Sequence, residues 1–336
     1  MPSPVRRKTV VLLCVAVLGL VAAGAAVASN GGVAPPSPKS PNAGRITDVY
    51  WLLMGVTGAI FVIVESALLL FVFRFRNRGR SRDVEGPQIR GHTRLELIWT
   101  AIPVLILAGI LVFVFYKLPG IKNVPSAKAS GKPRLTIRVE GHQYYWNFRY
   151  PKYGVIQVNR MHAPADRVVE LKITSADVDH SWWIPALDGK FDAIPGHTNT
   201  SWFRARRTGT YRGQCGEFCG LQHANMLARV QVMPPDEFDR WIANEQARQS
   251  GANTDLGKLT YRGACAVCHG LQGQGGYGRV LKDNPVTSDA KAVATIVRHG
   301  RNLMPAVGRG WKKKQLNALT AYLKQHFAPE GTASGG

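Results

Sequence analysis

Residues 213–226 read Gly213-Gln-Cys215-Gly-Glu217-Phe-Cys219-Gly-Leu-Gln-His223-Ala-Asn-Met226, and His180 stands 35 residues before Cys215, closing Asp177-Val-Asp-His180. Two thiolates, two imidazoles and a thioether make a soft nitrogen–sulfur ligand set, and thioether beside thiolate favours copper over zinc. A single blue-copper ion takes one Cys, two His and a weak axial Met. The second Cys in the same loop lets two thiolates bridge two coppers, each capped by one His. A zinc site built from Cys215, Cys219 and His223 leaves His180 and Met226 without a role.

The flanks of this loop read as β structure. Leu135 to Val139 alternates apolar and polar, Tyr144 to Tyr150 is aromatic, and short runs follow at Val168–Ile173, Thr200–Arg204, Thr210–Gln214 and Ala228–Val232. Short strands separated by Gly, Pro and Asp turns predict a β-sandwich or barrel. Pro234-Pro235 closes it, and Asp236 caps a polar helix from about Glu237 to Gln249. Ser250 to Thr254 reads as a short flexible linker that sets how freely the next domain reaches the copper loop.

That next domain carries Cys265-Ala-Val-Cys268-His269, the pattern of covalent haem attachment. The thiols bond to the vinyl groups and His269 supplies one axial ligand. Met304 follows 35 residues later in the Gly-rich stretch Gly300–Gly308 and is the expected second ligand. A His/Met pair raises the haem potential. Tyr261 and Gly263 belong to a preceding helix, and Lys312 to Phe327 to a closing one. A redox dithiol needs a βαβ context that is absent. His142, His162, His197, His299 and His326 read as structural or exposed. Residues 257–336 hold 12 Lys and Arg against 3 Asp and Glu, which suits an acidic docking partner.

Toward the N-terminus, Tyr50–Phe73 and Leu97–Tyr116 are each long enough to cross a ~30 Å hydrocarbon core as helices. Seven Arg lie between Arg74 and Arg94. They and Arg6, Arg7 and Lys8 belong on the cytoplasmic side, which leaves everything after about residue 117 on the other side. The run Val10–Ala28, ending Ala26-Val27-Ala28 and containing Cys14, reads as a cleaved signal peptide. The whole chain of 336 residues has 43 Lys and Arg against 21 Asp and Glu. With the Arg cluster explained by membrane topology and no recognition motif present, nucleic-acid binding is excluded.

The copper loop resembles the dinuclear copper (CuA) motif of the cytochrome c oxidase subunit II family. Three further stretches resemble that family: His92-Thr-Arg-Leu-Glu96-Leu-Ile-Trp99-Thr-Ala-Ile-Pro103, Gly141-His-Gln-Tyr-Tyr-Trp146 and Asp192-Ala-Ile-Pro-Gly196. Residues 257–328 resemble a class I cytochrome c. The resemblance implies a multidomain membrane protein with a transmembrane helical hairpin, a cupredoxin-like Greek-key β-barrel and a small all-α cytochrome c domain. The expected divisions are signal peptide 1–28, linker 29–44, hairpin 45–117, copper domain 130–235, linker helix 236–255, cytochrome domain 256–328 and disordered tail 329–336.

The resemblance also implies roles. Cys215 and Cys219 bridge both coppers; His180 and Met226 cap one, and His223 and the Glu217 carbonyl cap the other. The Glu217 side chain holds magnesium at the subunit I interface. Tyr144 stands where many relatives have an electron-receiving Trp, with Trp146 as the alternative. Glu96 lies near the mouth of a proton path in subunit I, against a plain helix N-terminal role. Expected cofactors are dinuclear copper, haem c and magnesium. Expected partners are subunits I and III, with a cytochrome bc complex or a cytochrome c as donor. The chain is expected in a bacterial plasma membrane as a multi-pass protein, both metal domains on the outer face. It passes electrons from haem to copper and on to subunit I, which reduces oxygen to water coupled to proton pumping. The catalytic oxygen site belongs to subunit I, and this chain is not expected to turn over alone. A copper-storage protein leaves the haem motif unexplained, and the copper domain of a nitrous-oxide-reducing enzyme calls for a large His-rich domain.

Overall fold

The computed structural model describes residues 34–75, 86, 88, 90–126, 131–250 and 254–329. The signal-peptide reading, Cys14, most of the Arg cluster, residues 251–253 of the flexible-linker reading and residues 330–336 of the tail lie outside them. The chain divides into two compact units, residues 44–124 and the remainder.

The first unit holds most of helix α1 (Pro41–Phe75) and all of α2 (Thr93–Lys122). At 1.5 Å rise per residue they are roughly 50 and 45 Å long. Both are long and apolar enough to cross a membrane, with peak mean hydropathies of 2.4 and 2.7, and neither apolar window is buried. A hairpin in a soluble core would bury one face; here Leu105, Val112 and Tyr116 stand exposed. The helices run past the expected apolar spans because their polar ends pair with each other. Lys117 bonds Asp48 at 2.7 Å, and Arg45 donates to the Gly120 carbonyl at 3.1 Å. At the start of α2, His92 Nδ1 accepts the Leu95 N–H, and Glu96 accepts the His92 N–H at 3.1 Å. This reciprocal pairing satisfies two N–H groups that a helix start leaves open.

The second unit begins before α1. The expected linker 29–44 is pinned over its last residues. Lys39 N–H donates to the Ala186 carbonyl at 2.7 Å, and the buried Asn42 amide donates to Asp188 at 2.7 Å and to the Trp202 carbonyl. Pro, Ser and Asn read as flexible by composition, yet their polar groups are satisfied by the β-domain.

That domain has ten strands: β1 (Leu135–His142), β2 (Tyr145–Tyr150), β3 (Val155–Val158), β4 (Met161–Pro164), β5 (Val169–Ser175), β6 (His180–Trp183), β7 (Lys190–Ala193), β8 (Asn199–Phe203), β9 (Gly209–Cys215) and β10 (Leu227–Met233). They form two five-stranded sheets, ordered β3-β2-β1-β5-β8 and β4-β10-β9-β6-β7. Pairing is antiparallel except for β1 with β5 and β4 with β10. Alternation turns Leu135, Ile137 and Val139 inward to meet Trp146, Phe148 and Trp182. Each such apolar side chain, fully buried, contributes about 1.5–3 kcal/mol. The result is a cupredoxin-like sandwich. β3, β4, β6 and β7 escape the sequence reading because each spans four residues, too short for alternation to register.

Helix α3 (Pro235–Ser250) sends Phe238 and Ile242 into the sandwich core. Its buried Gln249 exchanges two hydrogen bonds with the Ile156 backbone, at 2.9 and 2.8 Å. The helix expected after Pro235 is thus present and packs on the β-domain. After it come α4 (Thr254–Thr260), a π-helical turn (Tyr261–Cys265), α5 (Ala266–His269), α6 (Ala290–His299) and α7 (Lys313–Phe327). Tyr261 packs its ring 5.6 Å from Tyr322 and 4.8 Å from Phe327, joining the start of this domain to its closing helix.

Candidate functional site

The copper loop is the turn of a hairpin. β9 and β10 pair with Gln214 opposite Leu227, and the Cys215 N–H closes the loop on the Met226 carbonyl at 2.9 Å. Cys215 and Met226 therefore leave neighbouring strands together. β6 lies beside β9, with Trp182 opposite Cys215, which carries His180 to the same end of the sheet. Cys215, Cys219, Met226 and His180 are all buried.

The donor atoms converge. The ligand atoms of His180, Cys215 and Cys219 all lie within 4.8 Å of one another, the one such group among the described residues. Cys215 Sγ is 3.8 Å from His180 Nδ1 and 3.2 Å from the Glu217 carbonyl. Cys219 Sγ is 3.5 Å from His223 Nδ1 and 3.8 Å from Met226 Sδ. All six donors expected from the sequence thus reach one cluster. The hydrogen bond from Cys219 and the contact with His180 hold the Cys215 thiol below its usual range, which favours one thiolate in the pair. Two sulfurs, two imidazoles, a thioether and one carbonyl, with His180, Cys215, Cys219 and Met226 buried and His223 and Glu217 nearer the surface, fit soft copper better than a hard cation.

Surrounding groups fix these donors. His180 Nε2 bonds Asp177 at 2.8 Å, which leaves Nδ1 as the atom facing the sulfurs. Burial raises the Asp177 carboxyl, but the bonds to His180 and to the N–H groups of Gln143 and Val178 outweigh it and hold it below its usual range. Gln143 Nε2 donates to the Cys219 carbonyl at 2.6 Å. The Trp146 ring stands edge-on to His180 at 5.9 Å. Gly141 is required beneath that imidazole, where a Cβ would come within 2.8 Å of the ring. The Tyr144 hydroxyl accepts the Leu221 N–H of the copper loop at 3.1 Å. Asp177 and Gln143 were absent from the sequence reading of the site, although Asp177 sits three residues before His180 within the motif. The Glu217 carboxylate pairs with Lys190 at 3.3 Å.

In the C-terminal domain, Cys265 is buried and Cys268 half-buried, on successive turns of the π-helical segment and α5. Burial raises the Cys265 thiol to about 12 and also raises that of Cys268. His269 Nδ1 bonds the Arg279 carbonyl at 2.7 Å, which fixes the ring and leaves Nε2 for a metal. Met304 sits in a tight turn, exchanging two 3.0 Å backbone bonds with Arg301. It packs on the cluster that contains Cys265, Tyr261 and Trp311. Two thiols, one oriented imidazole and a thioether around an apolar cluster fit a c-type haem. A cleft of about 330 Å³ lies between the two sites, lined by Gln143, Asp177 and Val178 on one side and by His299, Arg301 and Met304 among others on the other.

Comparison with known proteins agrees with this division. Residues 28–116 match the family of the cytochrome c oxidase subunit II transmembrane domain, and residues 155–233 that of its periplasmic domain. Residues 252–323 match the family described as cytochrome c oxidase, cbb3-type, subunit III. Cytochrome c oxidase subunit 2 of Bacillus sp. (strain PS3) is 30% identical over 317 residues, covering 84% of this chain and 89% of that one. The subunit 2 of Alkalihalophilus pseudofirmus is 28% identical over 306 residues, covering 85% and 89%. A crystal structure of the periplasmic domain of subunit II of Bradyrhizobium japonicum cytochrome oxidase is 34% identical and covers 37% of this chain and 98% of that one, with a TM-score of 0.34. With two membrane-crossing helices, a sandwich whose hairpin gathers soft donors, and a Cys-X-X-Cys-His domain all inside these matches, the chain belongs to the cytochrome c oxidase subunit II family, as a membrane-anchored haem–copper oxidase component with a fused cytochrome c domain.

Proposed function

We propose that the chain is the electron-accepting subunit of its oxidase, receiving electrons at the cytochrome domain and delivering them through the copper domain to subunit I. There oxygen is reduced to water with coupled proton pumping. The observation that carries this reading is the convergence of two thiols, two imidazoles, a thioether and the Glu217 carbonyl on one cluster in the copper domain, beside a second domain bearing the Cys-X-X-Cys-His segment. His180, Cys215, the Glu217 carbonyl, Cys219, His223 and Met226 hold two coppers. Cys265 and Cys268 would anchor a haem covalently, and His269 and Met304 would hold its iron. Bound there, each group supplies a centre that gains and loses one electron at a time.

The protein's own work is positional. Asp177 holds the His180 ring, Trp146 packs edge-on against it and is backed by Trp182, and the Arg279 carbonyl aims His269. Tyr144, bonded to the copper loop, and Trp146, buried against His180, are the groups through which an electron would pass into the copper site. Both metal domains face the outer side of a bacterial plasma membrane. Subunits I and III are the membrane partners, and a cytochrome bc complex or a cytochrome c is the donor. In this proposal the Glu217 carboxylate, which now pairs with Lys190, would help hold a magnesium at the subunit I interface. Glu96 has a capping role already, and its contribution to a proton path is an added one: Glu96→Gln slows proton-coupled turnover of the assembled enzyme if that contribution exists.

Copper EPR of the oxidised, haem-bearing full chain tests the reading. One electron shared equally by two coppers is the expected hyperfine pattern. Signals of isolated single coppers would reduce the site to a mononuclear or storage centre.

A further inference from the structure

The run Tyr144-Tyr145-Trp146 leads into and opens β2, and a strand turns successive side chains to opposite faces. Tyr144 and Trp146 pack with the copper domain's core. Tyr145 faces the other way and belongs to the cytochrome domain's apolar cluster, with Tyr261, Val307, Trp311 and Leu319. It is fully buried. Its hydroxyl donates to the Val307 carbonyl and accepts from Trp311 Nε1, both at 2.6 Å. Its ring stacks on buried His142, centroids 4.6 Å apart and planes 9° from parallel.

Both partners of this hydroxyl lie just past Met304 in the chain, while the next residue in β2, Trp146, abuts His180. Tyr145 thus joins the segment that carries a haem ligand to the strand that walls a copper ligand. Weaker contacts surround it. Asn159 donates to the Gly263 carbonyl at 2.9 Å and Arg149 to the Gly310 carbonyl at 3.3 Å. Gly263 lies so close to Val158 that no Cβ fits between them. Leu256 and Ala318 bury against Ile156. Both ends of the segment after α3 are therefore anchored, Gln249 on one side and Leu256 on the other.

We propose that Tyr145 is a positioning residue that locks the cytochrome domain onto the copper domain, so that transfer between them runs in one docked arrangement and not through a tethered search. The proposal rests on the electron-accepting reading above. Removing the hydroxyl leaves a buried carbonyl and a buried indole N–H without partners, which costs more than the mean worth of one hydrogen bond. The remaining contacts keep the domains together but no longer in a single register.

The test uses the full chain in its assembled oxidase, with haem and copper in place. The haem is reduced by a flash and copper reduction is followed. Tyr145→Phe is expected to slow this step about tenfold and to make it viscosity-dependent, while both midpoint potentials stay put. Hydrogen exchange should accelerate together in residues 145–158 and 307–311. Trp311→Phe removes the same bond from the other side and should reproduce both effects, and the double variant should be no slower than either single one. Wild-type transfer and wild-type exchange in the two single variants would overturn the proposal. If Tyr145→Phe fails to fold, Trp311→Phe carries the test. The electron-accepting reading fails separately, when flash-reduced haem in the wild-type chain never passes its electron to copper; the exchange data still report on the lock.

Discussion

The copper loop and the haem segment are both short and Cys-bearing, yet they are held in opposite ways. Cys215, Cys219 and Met226 are members of the sandwich's own core, and His180 arrives from the adjacent strand. The donor cluster is a consequence of packing that the β-domain needs anyway. The haem segment keeps Cys265, Cys268 and His269 together mainly by local helical geometry, with His269 oriented by the Arg279 carbonyl, while Met304 comes from a turn tied to itself and followed by residues that bond to the other domain. One site is built by a core and the other by a motif and a docking contact. Disturbing the core should therefore act on copper and spare haem attachment.

The largest effect on this contrast comes from Cys215→Ser. It is expected to abolish the shared-electron copper EPR pattern while leaving covalent haem in full yield. Loss of haem along with the copper signal would break the contrast, since it would make the two sites one folding unit. Next is Asp177→Asn, which weakens the grip on the His180 ring. Groups that orient a metal-bound imidazole typically matter by 10–100-fold in affinity, so copper should pass to a competing chelator at about 10–100-fold lower chelator strength. Unchanged affinity would assign the ring's orientation to its packing against Trp146.

A third effect belongs to the buried Asp188 carboxyl, which accepts from Asn42 within the β-domain's own unit. Burial pushes the Asp188 carboxyl up to about 8, against the opposing bonds from Ser201 and the Gly189 N–H. An unfolded Asp ionises near pH 4, whereas the folded one keeps its proton until about pH 8. The folded state binds more protons in that window, so this group makes stability fall as pH rises from about 4 to 8 and then level off. Asp188→Asn should remove that share of the slope in thermal unfolding of the full chain, and an unaltered slope would mean the carboxyl ionises freely where it sits. The smallest effect is expected from a flexible insertion after Ser250. Because both flanks are anchored, lengthening the tether adds only slowly growing loop entropy, and haem-to-copper transfer should stay within about twofold. A large slowing would favour the tethered search that the Ser250–Thr254 composition suggests.

The legible parts of this protein were those written in contiguous residues. The copper loop, the Cys-X-X-Cys-His segment and the two apolar spans each occupy one stretch, and their chemistry follows from residue types and spacing. Asp177 was visible beside His180 but carries no spacing rule that marks it as the group that orients the ring. Tyr145 sat between two aromatics that attracted functional readings, and its own role depended on which way the strand faces.

Sequence alone determined the donor types, hence soft metal and haem, and the length of apolar chain that crosses a membrane. Ligand softness and hydrocarbon thickness are local constraints that need no partner residues to be known. Tertiary structure alone decided that α3 and residues 39–43 pack on the β-domain, that β2 divides its aromatics between two domains, and that the cytochrome segment contacts the β-domain through Tyr145. Those outcomes depend on which distant surfaces bury each other, as when Tyr145 meets Val307 and Trp311 more than 160 residues away. No periodicity or spacing within one segment encodes that meeting.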